Sequence, residues 1–151
     1  MARYSAAMEN KITLRHACVA YLAAVTATAA CGSFILVALE GALLSAVVPF
    51  FGIAWLCASV GGLLPFTIAI YFANRLNIRS WAYFAGVGTV AALATSLLVM
   101  GENAFACGEE ENPFEMLNLC LHLAASGAAG GTACWAALRI QARLDTRVRM
   151  S

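Results

Sequence analysis

ACVAYLAAVTATAACGSFILVAL, residues 17 to 39, runs for the length of one bilayer crossing without a charged side chain. A helix needs roughly 20 apolar residues to cross a hydrocarbon core about 30 Å thick, so this stretch predicts a transmembrane helix. It follows a basic N-terminal region and has the outline of a secretion signal. It is nevertheless as long as a full span, and although Ala29, Ala30 and Cys31 are small, nothing after them reads as a mature soluble domain. We therefore read it as a retained helix.

Working outward, three further runs have the same character. Residues 81 to 100 open on the interfacial pair Trp81 and Tyr83, and residues 116 to 138 form a last apolar run. Between the first run and these, everything from Ala42 to Ala73 is uncharged, too long for one upright helix and too short for two spans and a turn. Pro49 suits the first turn of a helix, which puts the span at 49 to 73 and leaves Ala42 to Val48 as an interfacial lead-in. Pro65 then lies inside the span, where it removes a backbone hydrogen bond. With Gly61 and Gly62 just before it, a kink is expected there.

The expected fold is thus an all-α membrane protein: a segment 1 to 16, a four-helix transmembrane domain 17 to 138, and a basic tail 139 to 151. Composition agrees, since 62% of the 151 residues are hydrophobic and 11% charged, outside the balance of soluble domains. A net charge of +1, with basic residues scattered near the ends of apolar runs, gives no basis for a nucleic-acid partner. Orientation follows from the excess of Lys and Arg on cytoplasmic flanks. With four spans, all nine basic residues, from Arg3 to Arg149, fall on one side. Glu40, Glu102, Glu109, Glu110, Glu111 and Glu115 fall on the other. Both termini are therefore expected in the cytoplasm, and the Ala- and Gly-rich helices with short loops suggest a bacterial inner membrane. The tail, with Ile140, Leu144 and Val148 at helical spacing among arginines, is expected to continue as an amphipathic helix touching anionic lipid.

Within the fourth run Asn118, His122, Ser126, Gly130 and Cys134 recur every four residues, a polar-to-small stripe. An ionisable residue within a span usually faces the bundle interior or water, which makes His122 the default functional candidate. One reading is a polar path in which Asn118, His122 and Ser126 relay a cation or proton gathered by the exterior glutamates. The other is packing: Ser126 with Gly130, and Gly127 with Gly131, are small-xxx-small pairs that let another helix approach. Packing is preferred, because no carboxylate lies in mid-membrane to complete a relay.

Six cysteines raise a redox reading, since four-helix quinone-linked disulfide enzymes share this topology. Such chemistry needs a Cys-x-x-Cys pair at the exterior end, and here every cysteine is isolated. Cys107, assigned to the acidic loop, and Cys120 are the pair that a structural disulfide would join; the other cysteines read as small hydrophobes. His16 and His122 stand at opposite membrane faces and cannot share a haem iron. Cys120 and His122 diverge on a helix, so no metal site is assigned. Glu109, Glu110 and Glu111 lack the alternating ligand spacing of a calcium loop. Neither a phosphate-binding loop nor a nucleophile motif is present, no cofactor is indicated, and an enzyme is unsupported.

The leading expectation is a multi-pass inner-membrane protein that works by helix packing, as a homo-oligomer or as an accessory subunit of a larger membrane complex, with the lipid bilayer as its constant partner. A small transporter or channel using the His122 stripe comes second, and a thiol/quinone redox enzyme third.

Overall fold

The computed structural model describes residues 12–40, 47–107 and 113–150, which form five α-helices and no strand. They are α1 (Leu14–Glu40), α2 (Val47–Gly61), α3 (Leu63–Leu76), α4 (Trp81–Cys107) and α5 (Pro113–Met150). Long runs of Ala, Leu, Val and Gly without charges explain the helices, since in an apolar setting a backbone must satisfy its own N–H and C=O groups.

The second uncharged stretch is two helices, bent by 52° at their junction. Pro49 lies in the first turn of α2. The amide of Gly62 still reaches the Ala58 carbonyl at 2.9 Å, and that of Phe66 reaches the Gly62 carbonyl at 3.0 Å. Between these two bonds Pro65 has no N–H to offer Gly61, and the ladder opens there. Gly62 is also crowded, because a Cβ on it would meet the Ala58 carbonyl oxygen. The lead-in expected over residues 42 to 48 falls mostly outside the described residues; Val47 and Val48 already belong to α2.

Two other boundaries differ from the sequence reading. Cys107, expected in a loop, is the last residue of α4, because the apolar run continues helically through Gly101 and Glu102. Helix α5 passes residue 138 without a break and carries the basic tail as one 38-residue helix. No proline or glycine follows Gly131, so nothing in the chain stops it.

Helix α5 is the axis of the bundle, packed along α4 on one side and α1 on the other, both antiparallel. Helix α2 lies on α1, and α3 returns to α4 through the short connector 77–80. Asn77 ends α3 in the left-handed conformation, φ 52°, with its amide on the Ala73 carbonyl. The bent pair α2/α3 touches α4 little, so the ring of helices is least closed there.

The buried set is small: Ala20, Val25, Ala29, Ala69, Ala73, Phe84 and Cys134, with Ser33 and Ser126. Large apolar side chains lie outside, among them Phe34 at 72% exposure, Val60 at 80% and Leu64 at 70%. Leu14–Ile35 of α1 is long and apolar enough to cross a membrane. Helices α2 and α3 meet that test only as a bent pair, and the apolar segment Trp81–Thr95 of α4 is shorter.

Replacing Pro65 with Ala returns the missing donor to Gly61 and should straighten the pair. With spin labels at Val48→Cys and Leu76→Cys, in a background freed of native cysteines, the separation should lengthen by about 4 Å, from two segments rising 1.5 Å per residue. An unchanged distance would mean that packing, not the proline, sets the bend.

Candidate functional site

Helix α5 presents two seams of small residues to two different neighbours. On the first, Gly127 and Gly131 meet α4. A Cβ at Gly131 would run into the Phe84 carbonyl and come within 2.9 Å of the Ala85 Cα; one at Gly127 would meet the Gly88 carbonyl and lie 2.7 Å from the Ala92 Cβ. Gly88 is equally closed, against the Gly127 carbonyl. On the second seam, a Cβ at Gly130 would collide with Thr28 Oγ1 and stand 3.0 Å from the Ala24 carbonyl oxygen. Gly32 of α1 faces Ser126. Ser126 is buried, and Cys134 joins Ala20, Ala73 and Phe84 in the core cluster. Such contacts bring helix backbones together where no side chain would fit, and the attraction is close van der Waals packing.

The polar members of the stripe behave otherwise. Asn118 is exposed, and His122 is half-buried with its Nδ1 against the Asn118 carbonyl of the same helix. Ser126 donates to the carbonyls of His122 at 2.8 Å or Leu123 at 3.1 Å, again within α5. The helices enclose a half-open space of about 510 Å³. Its wall includes Ser126, Gly127, Gly130, Gly131 and Cys134 from α5, and Gly61, Gly62 and Pro65 from the bend. Asn118 and His122 do not border it. The stripe therefore divides, its lower half inside the bundle and its upper half outside the cavity.

The cysteines are dispersed. Cys18, Cys31, Cys57, Cys120 and Cys134 are free thiols, and the side chain of Cys107, which a structural disulfide would join to Cys120, lies outside the described residues, as does the glutamate run 109 to 111. Among the described residues no three His, Cys, Asp or Glu side chains are placed to hold a metal ion.

A second polar region gathers where the ends of α1 and α3, the start of α4 and the later turns of α5 meet. The Asn74 side chain accepts from the Ile12 amide at 2.9 Å and donates to the Ile12 carbonyl at 3.3 Å. His16 shares a 2.8 Å hydrogen bond with Thr13 Oγ1 through Nδ1 and lies 2.9 Å from Asp145 through Nε2. Trp135 Nε1 donates to the Arg79 carbonyl at 3.0 Å, and the Arg139 guanidinium lies 4.9 Å from the centre of the Trp135 ring. Sequence reasoning used Arg79 and Arg139 only as topology markers and passed over Trp135. The spacing of Trp135 and Arg139 at i and i+4 was the one available signal, and Arg79 is 56 residues away in sequence.

No known protein family, curated protein or solved structure matches this chain.

If the two seams hold the bundle, glycines of one composition should respond oppositely. Gly131→Leu overpacks a contact with no space and should cost on the order of 1–3 kcal/mol. Gly86→Ala, which points into open space, should gain up to about 1 kcal/mol from helix propensity. Thermal unfolding in mild detergent would show the first melting below the native chain and the second at or above it; equal melting of the two would remove the seams from the account.

Proposed function

We propose that this chain is a four-span integral membrane protein of a bacterial inner membrane, with both termini in the cytoplasm, acting without catalysis as a homo-oligomer or as an accessory subunit of a larger membrane complex. The observation that carries the reading is the inverted distribution of side chains. Small residues make up most of the interior, with Val25 and Phe84 the large side chains among them, while Phe34, Ile53, Leu56, Val60 and Leu64 stand on the outside. A soluble fold buries its large apolar side chains, whereas lipid tails solvate them, and helices in lipid associate through small residues. The antiparallel order of helices also brings Arg15, Arg75, Arg79 and Arg139 to one end, as four crossings require.

The small-residue seams of α5 are occupied by α4 and α1 of the same chain, so association with a partner falls to another surface. The exposed face of α2 and α3, with Ile53, Leu56, Val60 and Leu64, offers one. A transport reading has less support, because the cavity wall lacks both Asn118 and His122 and is mainly hydrocarbon.

Two measurements test the proposal. An impermeant thiol reagent applied to cells should label Glu110→Cys and spare Ser80→Cys, in a cysteine-free background; the reverse pattern would overturn the orientation. After extraction in mild detergent, light scattering should give a particle containing more than one protein chain. The double variant Leu56→Ser, Val60→Ser should reduce it towards a single chain while helicity is kept. A native chain that emerges alone, with no companion, would sink the packing role.

A further inference from the structure

Six arginines of the described chain gather near the end of the bundle where α3 turns into α4 and α5 leaves it: Arg15, Arg75, Arg79, Arg139, Arg143 and Arg147. Among the described residues none of them lies within ion-pair distance of a carboxylate. Among the described residues the acidic side chain at this end, Asp145, faces His16 instead. Two of the arginines meet one tryptophan, Arg79 through its main chain and Arg139 through its guanidinium. The Trp135 indole is fixed by its donation to the Arg79 carbonyl and lies beside the Arg139 guanidinium. One aromatic ring thus ties the main chain of the α3–α4 connector at Arg79 to α5, where the same ring adjoins the guanidinium of Arg139.

We propose that Arg79 and Arg139, on the connector and the helix that Trp135 joins, form a binding site for the headgroup phosphate of an anionic phospholipid. The proposal rests on the membrane reading above, and three features point to this ligand. The first is charge: two guanidiniums with no carboxylate partner among the described residues match a phosphate, which a planar guanidinium can grip through paired N–H donors. Partial burial adds to this, since desolvation pushes the Arg79 pKa below its ordinary value and a nearby anion would offset that cost. The second is the apolar border. Leu76 at 61% exposure, Trp81 at 58% and Ile140 at 58% flank the arginines in sequence, and such a border suits acyl chains, not a free ion in water. The third is position, for tryptophan and arginine together mark the headgroup level of a bilayer. Arg143 and Arg147 lie one and two turns farther along α5, and no contact ties them to Trp135.

The test uses the full chain, delipidated in an uncharged detergent, with phosphatidylglycerol, phosphatidylcholine and inorganic phosphate as separate probes. Melting temperature and tryptophan fluorescence are read at each concentration. Phosphatidylglycerol should stabilise the native chain, and phosphatidylcholine and inorganic phosphate should not. In the double variant Arg79→Gln, Arg139→Gln the apparent affinity for phosphatidylglycerol should fall by about tenfold or more, given roughly 1 kcal/mol per basic residue. The charge-matched control Arg143→Gln, Arg147→Gln removes the same net charge and should lose clearly less affinity, because neither arginine adjoins Trp135. Equal losses in the two double variants would show diffuse attraction and overturn the site. So would saturation by inorganic phosphate, or equal response to the two lipids. If the lipid-free Arg79→Gln, Arg139→Gln chain no longer unfolds cooperatively, Arg79→Lys, Arg139→Lys replaces it, expected to keep the preference for phosphatidylglycerol with weaker binding; complete loss of that preference supports the guanidinium grip, and unchanged affinity overturns it. Failure of the membrane reading would show separately, as release of the chain from cell membranes by alkaline carbonate.

Discussion

The contact on which the rest of the molecule depends is backbone against backbone. At Gly88, Gly127 and Gly131 the chains of α4 and α5 approach so closely that a single Cβ would strike a carbonyl of the opposing helix, and Gly130 does the same against Thr28 of α1. Because α5 makes both contacts on adjacent faces, it fixes where α1 and α4 can stand, and α2 and α3 are placed by their attachment to those two. Glycine is usually a poor helix residue, costing close to 1 kcal/mol against alanine. Here that cost is offset by a fit that any side chain would destroy, and it is concentrated in one stretch of one helix.

From that close axis follows the outward placement of the large side chains. When helix backbones nearly touch, the interior has room mainly for small side chains such as Ala20, Ala29, Ala73 and Ser126, and most of the large apolar side chains turn outwards, Val25 and Phe84 being buried. In water this arrangement would expose apolar surface without compensation, whereas in hydrocarbon it costs little. The same geometry leaves the bent pair α2/α3 loosely attached to α4 and encloses the cavity behind the Gly61–Pro65 bend. Polar groups inside are few and bond mostly to their own helix, as Thr67 does to Leu63 and Thr89 to Ala85. Several cross-helix polar ties lie at the basic end, where Asn74, His16 and Trp135 join segments far apart in sequence.

Much of this was legible before folding. The helical character of the chain follows from uncharged runs that have no other way to satisfy their backbones, and the position of the break in the second run follows from the missing N–H of Pro65. Small residues at 126, 127, 130 and 131 marked α5 as a packing helix. Other features were not legible. The extension of α4 to Cys107 was hidden because Glu102 reads as the end of an apolar run, yet a glutamate is a good helix former once the helix is under way. The grouping of Asn118, His122, Ser126 and Gly130 into one stripe was also misleading. Steps of four on a helix of 3.6 residues per turn drift round its surface, so Ser126 and Gly130 reach the interior while Asn118 does not.

The sequence by itself determined that the chain is helical and where its second apolar stretch breaks; both are properties of local composition and of backbone chemistry within a few residues. Only the tertiary structure decided which neighbour each glycine of α5 meets, that His122 lies apart from the cavity, and that Arg79 and Arg139 share one tryptophan. Those outcomes depend on the rotation and relative height of helices that are distant in sequence. No local rule carries that information, because the same small-residue pattern fits a partner from this chain or from another one equally well.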